Sequence, residues 1–266
     1  MSDAIWMLSD DYSVVAEFYD YIVPYRDRQD VAFFVEQARR SGGPVLELGC
    51  GSGRILFPTA EAGIEIVGLD GAPAMLSVCR AKLARQPASV QARIELVEGD
   101  MRRFKLGRKF ALVTLPFRPF QHLLTVADQL DCLAAIRDHL AERGRLIFDV
   151  FNPSLEFLTA PCPTESISEP PFTMPDGRKG QRYPRILARD LASQVQQVEI
   201  LYVLTYPDGR EDRVVERFPM RYFFRFELEH LLARGGFQME TVYTDYDRSA
   251  YGSKLPGELI FIAGKA

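Results

Sequence analysis

The sequence is poor in the features that mark secreted, membrane-spanning and nucleic-acid-coating proteins. Only four of its 266 residues are cysteine, and Cys50, Cys79, Cys132 and Cys162 are scattered without a C-x-x-C pair. Such spacing excludes a small disulfide framework and a cysteine zinc site, and suits a reducing cytoplasm. No apolar run approaches the roughly 18 residues needed to cross a bilayer. The acidic start, residues 1–10, lacks the basic stretch of a signal peptide. Basic charge is also short: 32 Lys and Arg against 36 Asp and Glu give a net charge of -4. That balance argues against broad contact with a phosphate backbone. No His/Asp/Glu cluster suggests a metal. What remains is 47% apolar and 26% charged, the composition of a folded α/β domain, or of a core domain with a cap.

Short apolar runs alternate with helical stretches through the first 150 residues. Residues 45–48, 64–69, 94–97, 111–115 and 145–150 read as strands. Leu130, Leu133, Ile136 and Leu140 recur at helical spacing between the last two, and Leu76, Cys79 and Leu83 do so after the second. Strands alternating with helices imply βαβ units and a parallel sheet covered on both faces. The pattern breaks after Phe151. Residues 152–190 are rich in proline and show no helical period, whereas Val198, Ile200, Tyr202, Leu204 and Tyr206 alternate as a strand does. Pro207-Asp-Gly209 supplies a turn, and residues 214–218 the returning strand. Residues 152–222 thus read as an inserted antiparallel β cap, and 1–151 with 223–266 as the core. A helix over 227–234, ended by Gly235-Gly236, and strands over 239–243 and 259–263 complete the chain.

The densest chemical signal is Val45-Leu-Glu-Leu-Gly-Cys-Gly-Ser-Gly-Arg-Ile55. A strand runs into a loop with Gly49, Gly51 and Gly53, whose lack of Cβ lets a ligand approach the backbone, and a helix start with unpaired N–H groups follows. Asp70 ends the second strand, where a carboxylate can accept both hydroxyls of a ribose; the competing role is a helix cap. Asp100 ends the third strand beside Met101 and suits the exocyclic amine of an adenine, or else it is a solvated loop residue. The G-x-G-x-G spacing lacks the third glycine of the dinucleotide fingerprint, which counts against NAD or FAD. Arg54, expected in the first turn of a helix, is a cation at the wrong end of a dipole. A ligand carboxylate would explain it, as would a side chain reaching out to solvent.

These residues resemble the class I S-adenosylmethionine-dependent methyltransferases of the small-molecule type. Glu47-Leu-Gly-Cys-Gly-Ser-Gly53 resembles that family's first motif, and Gly68-Leu-Asp-Gly-Ala-Pro-Ala-Met-Leu76 its second. Glu98-Gly-Asp-Met101 resembles the adenine-contacting segment, and Leu140-Ala-Glu-Arg-Gly-Arg-Leu-Ile-Phe148 the approach to the fifth strand. The resemblance implies a Rossmann-like seven-stranded sheet with its last strand antiparallel. It implies S-adenosyl-L-methionine as cofactor and S-adenosyl-L-homocysteine as product. It also implies Asp70 on the ribose, Asp100 on the adenine amine, and Met75 and Met101 lining the base. Residues 11–22 are similar to the family's leading helix, part of a helical lid over 10–40, with Tyr19 or Tyr12 closing over the cofactor.

After the fourth strand, Leu115-Pro-Phe-Arg-Pro-Phe-Gln-His-Leu123 occupies the place where the family holds the methionine end of the cofactor and the incoming nucleophile. Leu115, Phe117 and Phe120 would wall the sulfonium and the substrate, or pack in the core. His122 is placed to take the proton lost on methylation, or to fix the loop. In the insertion Arg182, Tyr183, Tyr206 and Tyr222 would bind an aromatic or anionic acceptor, or contact a second copy in a homodimer. The expectation is methyl transfer to a nitrogen or oxygen of a small molecule, in the cytoplasm, without membrane or nucleic acid. The rivals are a protein- or RNA-directed methyltransferase, a dinucleotide-dependent oxidoreductase and a non-catalytic binding module.

Overall fold

The computed structural model describes residues 12–266 in full and the backbone of residues 5–9. In chain order the elements are β1 (Ile5–Ser9), a 3-10 turn (Tyr19–Tyr21), α1 (Val23–Arg26), α2 (Asp30–Ser41), β2 (Val45–Leu48) and α3 (Leu56–Glu61). Then come β3 (Ile66–Asp70), α4 (Pro73–Leu83), α5 (Ala88–Gln91), β4 (Ile94–Glu98), β5 (Phe110–Leu115), a 3-10 turn (Pro119–His122), α6 (Val126–His139) and β6 (Leu140–Asn152). The chain continues with α7 (Leu155–Thr159), β7 (Phe172–Thr173), β8 (Lys179–Asp190), β9 (Val195–Thr205) and β10 (Glu211–Arg221). It ends with α8 (Arg225–Arg234), β11 (Phe237–Tyr243) and β12 (Gly257–Lys265).

Seven strands form one sheet in the order β11-β12-β6-β5-β2-β3-β4. The strands from β4 to β6 are parallel, whereas β12 runs antiparallel to both of its neighbours, β6 and β11. The expected seven-stranded arrangement with an antiparallel last strand is therefore the one observed. Period-2 alternation divides the strand side chains between two cores. Leu46 and Leu48 of β2 join the Val113, Leu146 and Phe148 face, covered by Cys132, Leu133 and Ile136 of α6 and by Leu228, Leu231 and Leu232 of α8. Val45, Ile66, Leu112 and Ile147 face Phe33 and Phe34 of α2 and Leu56, Phe57 and Ala60 of α3. The central strands β2, β3 and β5, buried on both faces, carry few polar positions, as a parallel sheet requires.

The second sheet is β1-β10-β9-β8-β7. Its β9–β10 hairpin turns at Pro207-Asp-Gly209, where Gly209 has φ +84°. Three of its strands, β1, β7 and β8, were not legible in advance. Ile5-Trp-Met-Leu-Ser9 is a short apolar run that periodicity alone cannot assign, yet it adds a parallel edge strand to β10. In the proline-rich stretch β8 forms twelve residues of strand despite Pro184. Arg182, Pro184 and Ile186 turn their carbonyls away from β9 to accept N–H bonds from Glu169, Ile167 and Thr164. The N–H that Pro184 lacks is thus one that points outward, and the pairing with β9 runs through it, shifting register only between Ile186 and Ala188.

The leading helix expected over 11–22 is absent from the described residues 12–22, and Asp10 and Asp11 lie outside them. Residues 12–18 make turns, followed by the 3-10 turn and the four-residue α1. Tyr12 sits in the left-handed region at φ 62°, which a right-handed helix cannot contain, and Val14-Val15 is β-branched. Pro24 opens a new helix rather than continuing one.

Candidate functional site

The strand order reverses between β2 and β5, and ligands of open α/β sheets bind outside the carboxyl ends of the strands at such a point. Here the loop after β2 is pinned to β3: the N–H groups of Gly49 and Cys50 both donate to the Leu69 carbonyl, at 2.8 and 3.2 Å. Gly53 (φ +89°) is required for packing, since a Cβ there would lie 2.5 Å from the Phe57 ring. Gly51 (φ +54°) serves the ligand side: its N–H donates to Asp70 Oδ2 at 2.7 Å, while Asp70 Oδ1 accepts from Ala72 N–H at 2.8 Å. Asp70 thereby ties the glycine loop to the turn that leads into α4, whose N-terminus itself takes no side-chain cap. Burial raises its carboxyl pKa, and the N–H bonds from Ala72 and Gly51 pull it back.

A cavity of about 290 Å³ opens at this loop, lined by Tyr12, Tyr19, Glu47, Gly49, Gly51, Arg54, Asp70, Met75, Met101, Phe117 and His122 among others. Asp100 lines an adjoining hollow that shares Gly49, Asp70, Gly71 and Met101 with the cavity. Its carboxylate is held by the Nε, NH2 and backbone N–H of Arg102, which depress its pKa. Gly53 and Leu115, also singled out from the sequence, do not border the cavity; Leu115 is fully buried in the sheet core.

Glu47 is the most informative residue in the wall. It is 2% exposed, its Oε2 has no hydrogen-bond partner, and burial raises its pKa to about 8 despite the opposing field of Arg54. An unsatisfied buried carboxyl oxygen is expensive unless something comes to it. Arg54 differs from expectation. It precedes α3 by two residues and donates to both oxygens of buried Asp30, at 2.5 and 2.7 Å. Neither a ligand carboxylate nor solvent is needed to explain it.

Asp30 opens a charge-balanced network behind the cavity. Arg28 donates to Asp30, to Glu258 and to the Tyr246 hydroxyl. Arg118 pairs with Glu258, and the Tyr246 hydroxyl donates to Asp149. Asp149, fully buried at the end of β6, also accepts the N–H groups of Phe117 and Arg118 at 3.1 and 2.6 Å. Both of those residues sit in the left-handed region at φ 68°. The network thus holds the loop after β5 in a strained shape that sets the Phe117 ring under the guanidinium groups of Arg28 and Arg54, at 4.6 and 5.3 Å.

On the other side, Ser52 Oγ donates to Asp20 Oδ1 at 2.5 Å and Lys82 Nζ to Asp20 Oδ2 at 2.8 Å, tying the N-terminal segment to the glycine loop. Ring contacts then run from Tyr12 to Tyr19 (6.2 Å), Tyr19 to Tyr25 (4.8 Å) and Tyr25 to Phe117 (4.9 Å). His122 lines the cavity with its ring 5.5 Å from that of Phe218.

The residues expected at the acceptor are spread more widely. Phe120, 1% exposed, packs between Phe148 and Phe223 in the core and does not reach the cavity. Arg182 lies over the Tyr25 ring at 4.8 Å and pairs with Glu169, one ring removed from the cavity wall. Tyr183, half-buried on β8, does not border the cavity. Tyr206 lies at the hairpin end, bonded to Asp212 and stacked under Arg210 at 3.9 Å, and Tyr222 is buried edge-on to Phe224. Sequence reasoning missed Asp30 and Asp149, which hold Arg54 and the loop of Phe117, and neither left a local signal.

Comparison with known proteins agrees with this geometry. Residues 45–144 match the family model described as a methyltransferase domain. The chain is 24% identical over 237 residues to the dTDP-3-amino-3,6-dideoxy-alpha-D-glucopyranose N,N-dimethyltransferase of Streptomyces fradiae, covering 86% of each. Its fold matches that of an S-adenosylmethionine-dependent methyltransferase from Clostridium acetobutylicum, with a TM-score of 0.76 at 18% identity over 96% of this chain and 99% of that one. It also matches the glycopeptide N-methyltransferase MtfA in complex with S-adenosyl-L-methionine, with a TM-score of 0.58 at 25% identity over 90% and 95% of the two chains.

Proposed function

The chain is a class I S-adenosylmethionine-dependent methyltransferase, and from that premise we propose that it methylates a small molecule held between the glycine-loop cavity and the second sheet. The transfer is to a nitrogen or oxygen of the acceptor. The observation that carries this reading is a cavity lined both by the backbone-anchored Asp70 and by Glu47, whose Oε2 is buried without a hydrogen-bond partner. One site offers an acceptor for a ligand ammonium, the other acceptors for ribose hydroxyls.

S-adenosylmethionine fits these donors and acceptors. Asp70 would take the ribose and Glu47 the amino-acid ammonium. Met75 and Met101 would flank the base, with Asp100 at its exocyclic amine, and Tyr12 and Tyr19 would cover the whole. When bound, the cofactor supplies an electrophilic methyl group on a sulfonium. The protein supplies alignment and a water-poor setting. Phe117, held by Asp149, gives the acceptor end of the cavity an aromatic wall that tolerates positive charge. His122, on the cavity wall, would take the proton released on methylation.

In this reading residues 152–222, with β1 at their edge, cap the acceptor. The described residues include no helix long and apolar enough to cross a membrane. The free cysteines and the acidic balance fit a cytoplasmic enzyme that does not act on nucleic acid. Exposed Leu155, Ile167 and Leu191 on the cap are the residues a homodimer contact would cover. The reading is tested by incubating the protein with methyl-tritiated S-adenosylmethionine and a panel of cytoplasmic small molecules. Label should pass to a small-molecule fraction; label that passes only to protein or RNA would overturn it.

A further inference from the structure

Alternation along β10 puts Asp212, Val214 and Glu216 on its buried face. Phe218 follows on the same face, and its ring meets His122, which lines the cavity. Glu216, two residues before Phe218, therefore lies on the same face of β10 as the ring that meets His122. It is 4% exposed and accepts a hydrogen bond from the Tyr202 hydroxyl at 3.1 Å. Other carboxylates of this sheet and its flank are paired: Glu199 with Arg185 and Arg217, Glu211 with Arg213, and Glu169 with Arg182. Glu216 has no ion-pair partner among the described residues. Its field nevertheless reaches Tyr12 and Tyr19, which line the cavity, and Tyr25 beside them. A buried carboxylate without an ion-pair partner, hydrogen-bonded by one tyrosine and within electrostatic reach of three more, is the chemistry that receives a protonated amine: the carboxylate meets the charge and aromatic rings solvate it.

We propose that Glu216 anchors the amino group of the acceptor and takes its proton, making this an N-methyltransferase of aliphatic amines. The proposal rests on the methyltransferase reading above. The amine enters as R–NH3+ and passes one proton to the Glu216 carboxylate. The freed nitrogen lone pair attacks the methyl carbon; the N–C bond forms as the C–S bond breaks, and sulfur keeps the bonding pair. Positive charge moves from sulfur to the methylated nitrogen, which leaves as R–NH2+–CH3. Burial raises the Glu216 carboxyl to about 7, with the Tyr202 hydroxyl and Arg182 opposing, so it accepts a proton readily near neutrality. The titratable groups facing it are Tyr202 from β9, Arg182 from β8 and Tyr12, Tyr19 and Tyr25 from the N-terminal segment.

The test uses the full chain loaded with S-adenosylhomocysteine and three matched probe pairs. These are dTDP-3-amino-3,6-dideoxy-α-D-glucose, D-glucosamine and benzylamine, each against its hydroxyl counterpart. Calorimetry should show at least one amine binding and its hydroxyl counterpart not. Glu216→Gln should weaken that amine at least tenfold and leave S-adenosylhomocysteine affinity unchanged. With labelled cofactor, Glu216→Gln should raise the amine KM, and Glu216→Asp should restore part of the loss. The inference is overturned if loaded wild-type protein binds none of the amines, if a hydroxyl counterpart binds as well as its amine, or if Glu216→Gln binds amines normally. A Gln variant that loses S-adenosylhomocysteine is replaced by Glu216→Asp in the same comparison, where unchanged amine affinity and KM again overturn the inference. Failure of wild-type protein to bind S-adenosylhomocysteine at all would instead remove the methyltransferase reading.

Discussion

The role proposed for Glu47 predicts that one substitution moves stability and binding in opposite directions. Burial lifts this carboxyl from the ordinary 4.5 to about 8. A raised pKa means the folded state holds the proton more tightly than the unfolded state does. The resulting stability is fully present below about pH 4.5 and is lost as pH rises through about 8. At about 1.4 kcal/mol per pKa unit, wild-type protein gives up roughly 4–5 kcal/mol across that window. Glu47→Gln has no proton to lose, so its stability relative to wild type should climb with pH and level off above about 8. Binding should go the other way: a charge-assisted hydrogen bond to the cofactor ammonium is worth about 1.5–3 kcal/mol, so affinity should fall roughly 10- to 150-fold. Urea unfolding at pH 5, 6.5 and 8 measures the first effect and calorimetry with S-adenosylhomocysteine the second. A stability difference that is flat with pH would refute the buried, proton-holding carboxyl. Unchanged affinity would refute the contact with the ammonium.

Two further substitutions separate positioning from packing. Asp149→Asn leaves one of the Phe117 and Arg118 N–H groups without its acceptor and unbalances the Arg28 network. It should cost about 1–3 kcal/mol in urea unfolding and lower kcat more than cofactor affinity; equal losses in both would show that the loop shape does not matter for transfer. Gly53→Ala forces a Cβ to 2.5 Å from the Phe57 ring at φ +89°, so unfolding free energy should drop by about 1–3 kcal/mol. Because Gly53 does not border the cavity, the folded variant should keep its cofactor affinity within a few-fold, and a larger loss would place this glycine at the ligand after all.

What could be read in advance follows from how local the information is. The seven-stranded sheet announces itself because each strand is an apolar run bounded by turns, and α4 and α6 show helical spacing within a dozen residues. Gly51 and Asp70 are 19 residues apart and recognisable because the strand–loop–helix unit fixes their meeting. The partners of Arg54 and Phe117 could not be found this way. Asp30 lies 24 residues before Arg54, on α2, and Asp149 lies 32 beyond Phe117, on β6. No periodicity links such pairs; only the folded topology does. The tyrosines and arginines of the insertion were over-read for the same reason. Tyr206 and Tyr222 look like ligand-binding residues in composition, yet their hydroxyl and ring are already used by Asp212 and Phe224. Glu216 was passed over although its position in the alternation of β10 marks it as inward-facing.

The central claim, that the Gly49–Asp70 cradle holds S-adenosylmethionine, is tested most directly by titrating the folded protein with S-adenosylhomocysteine in a calorimeter. The account predicts saturable binding at one site per chain, weakened at least tenfold, about 1.4 kcal/mol, in Asp70→Ala. Absence of binding by well-folded protein, or equal affinity in the Asp70→Ala variant, would contradict it.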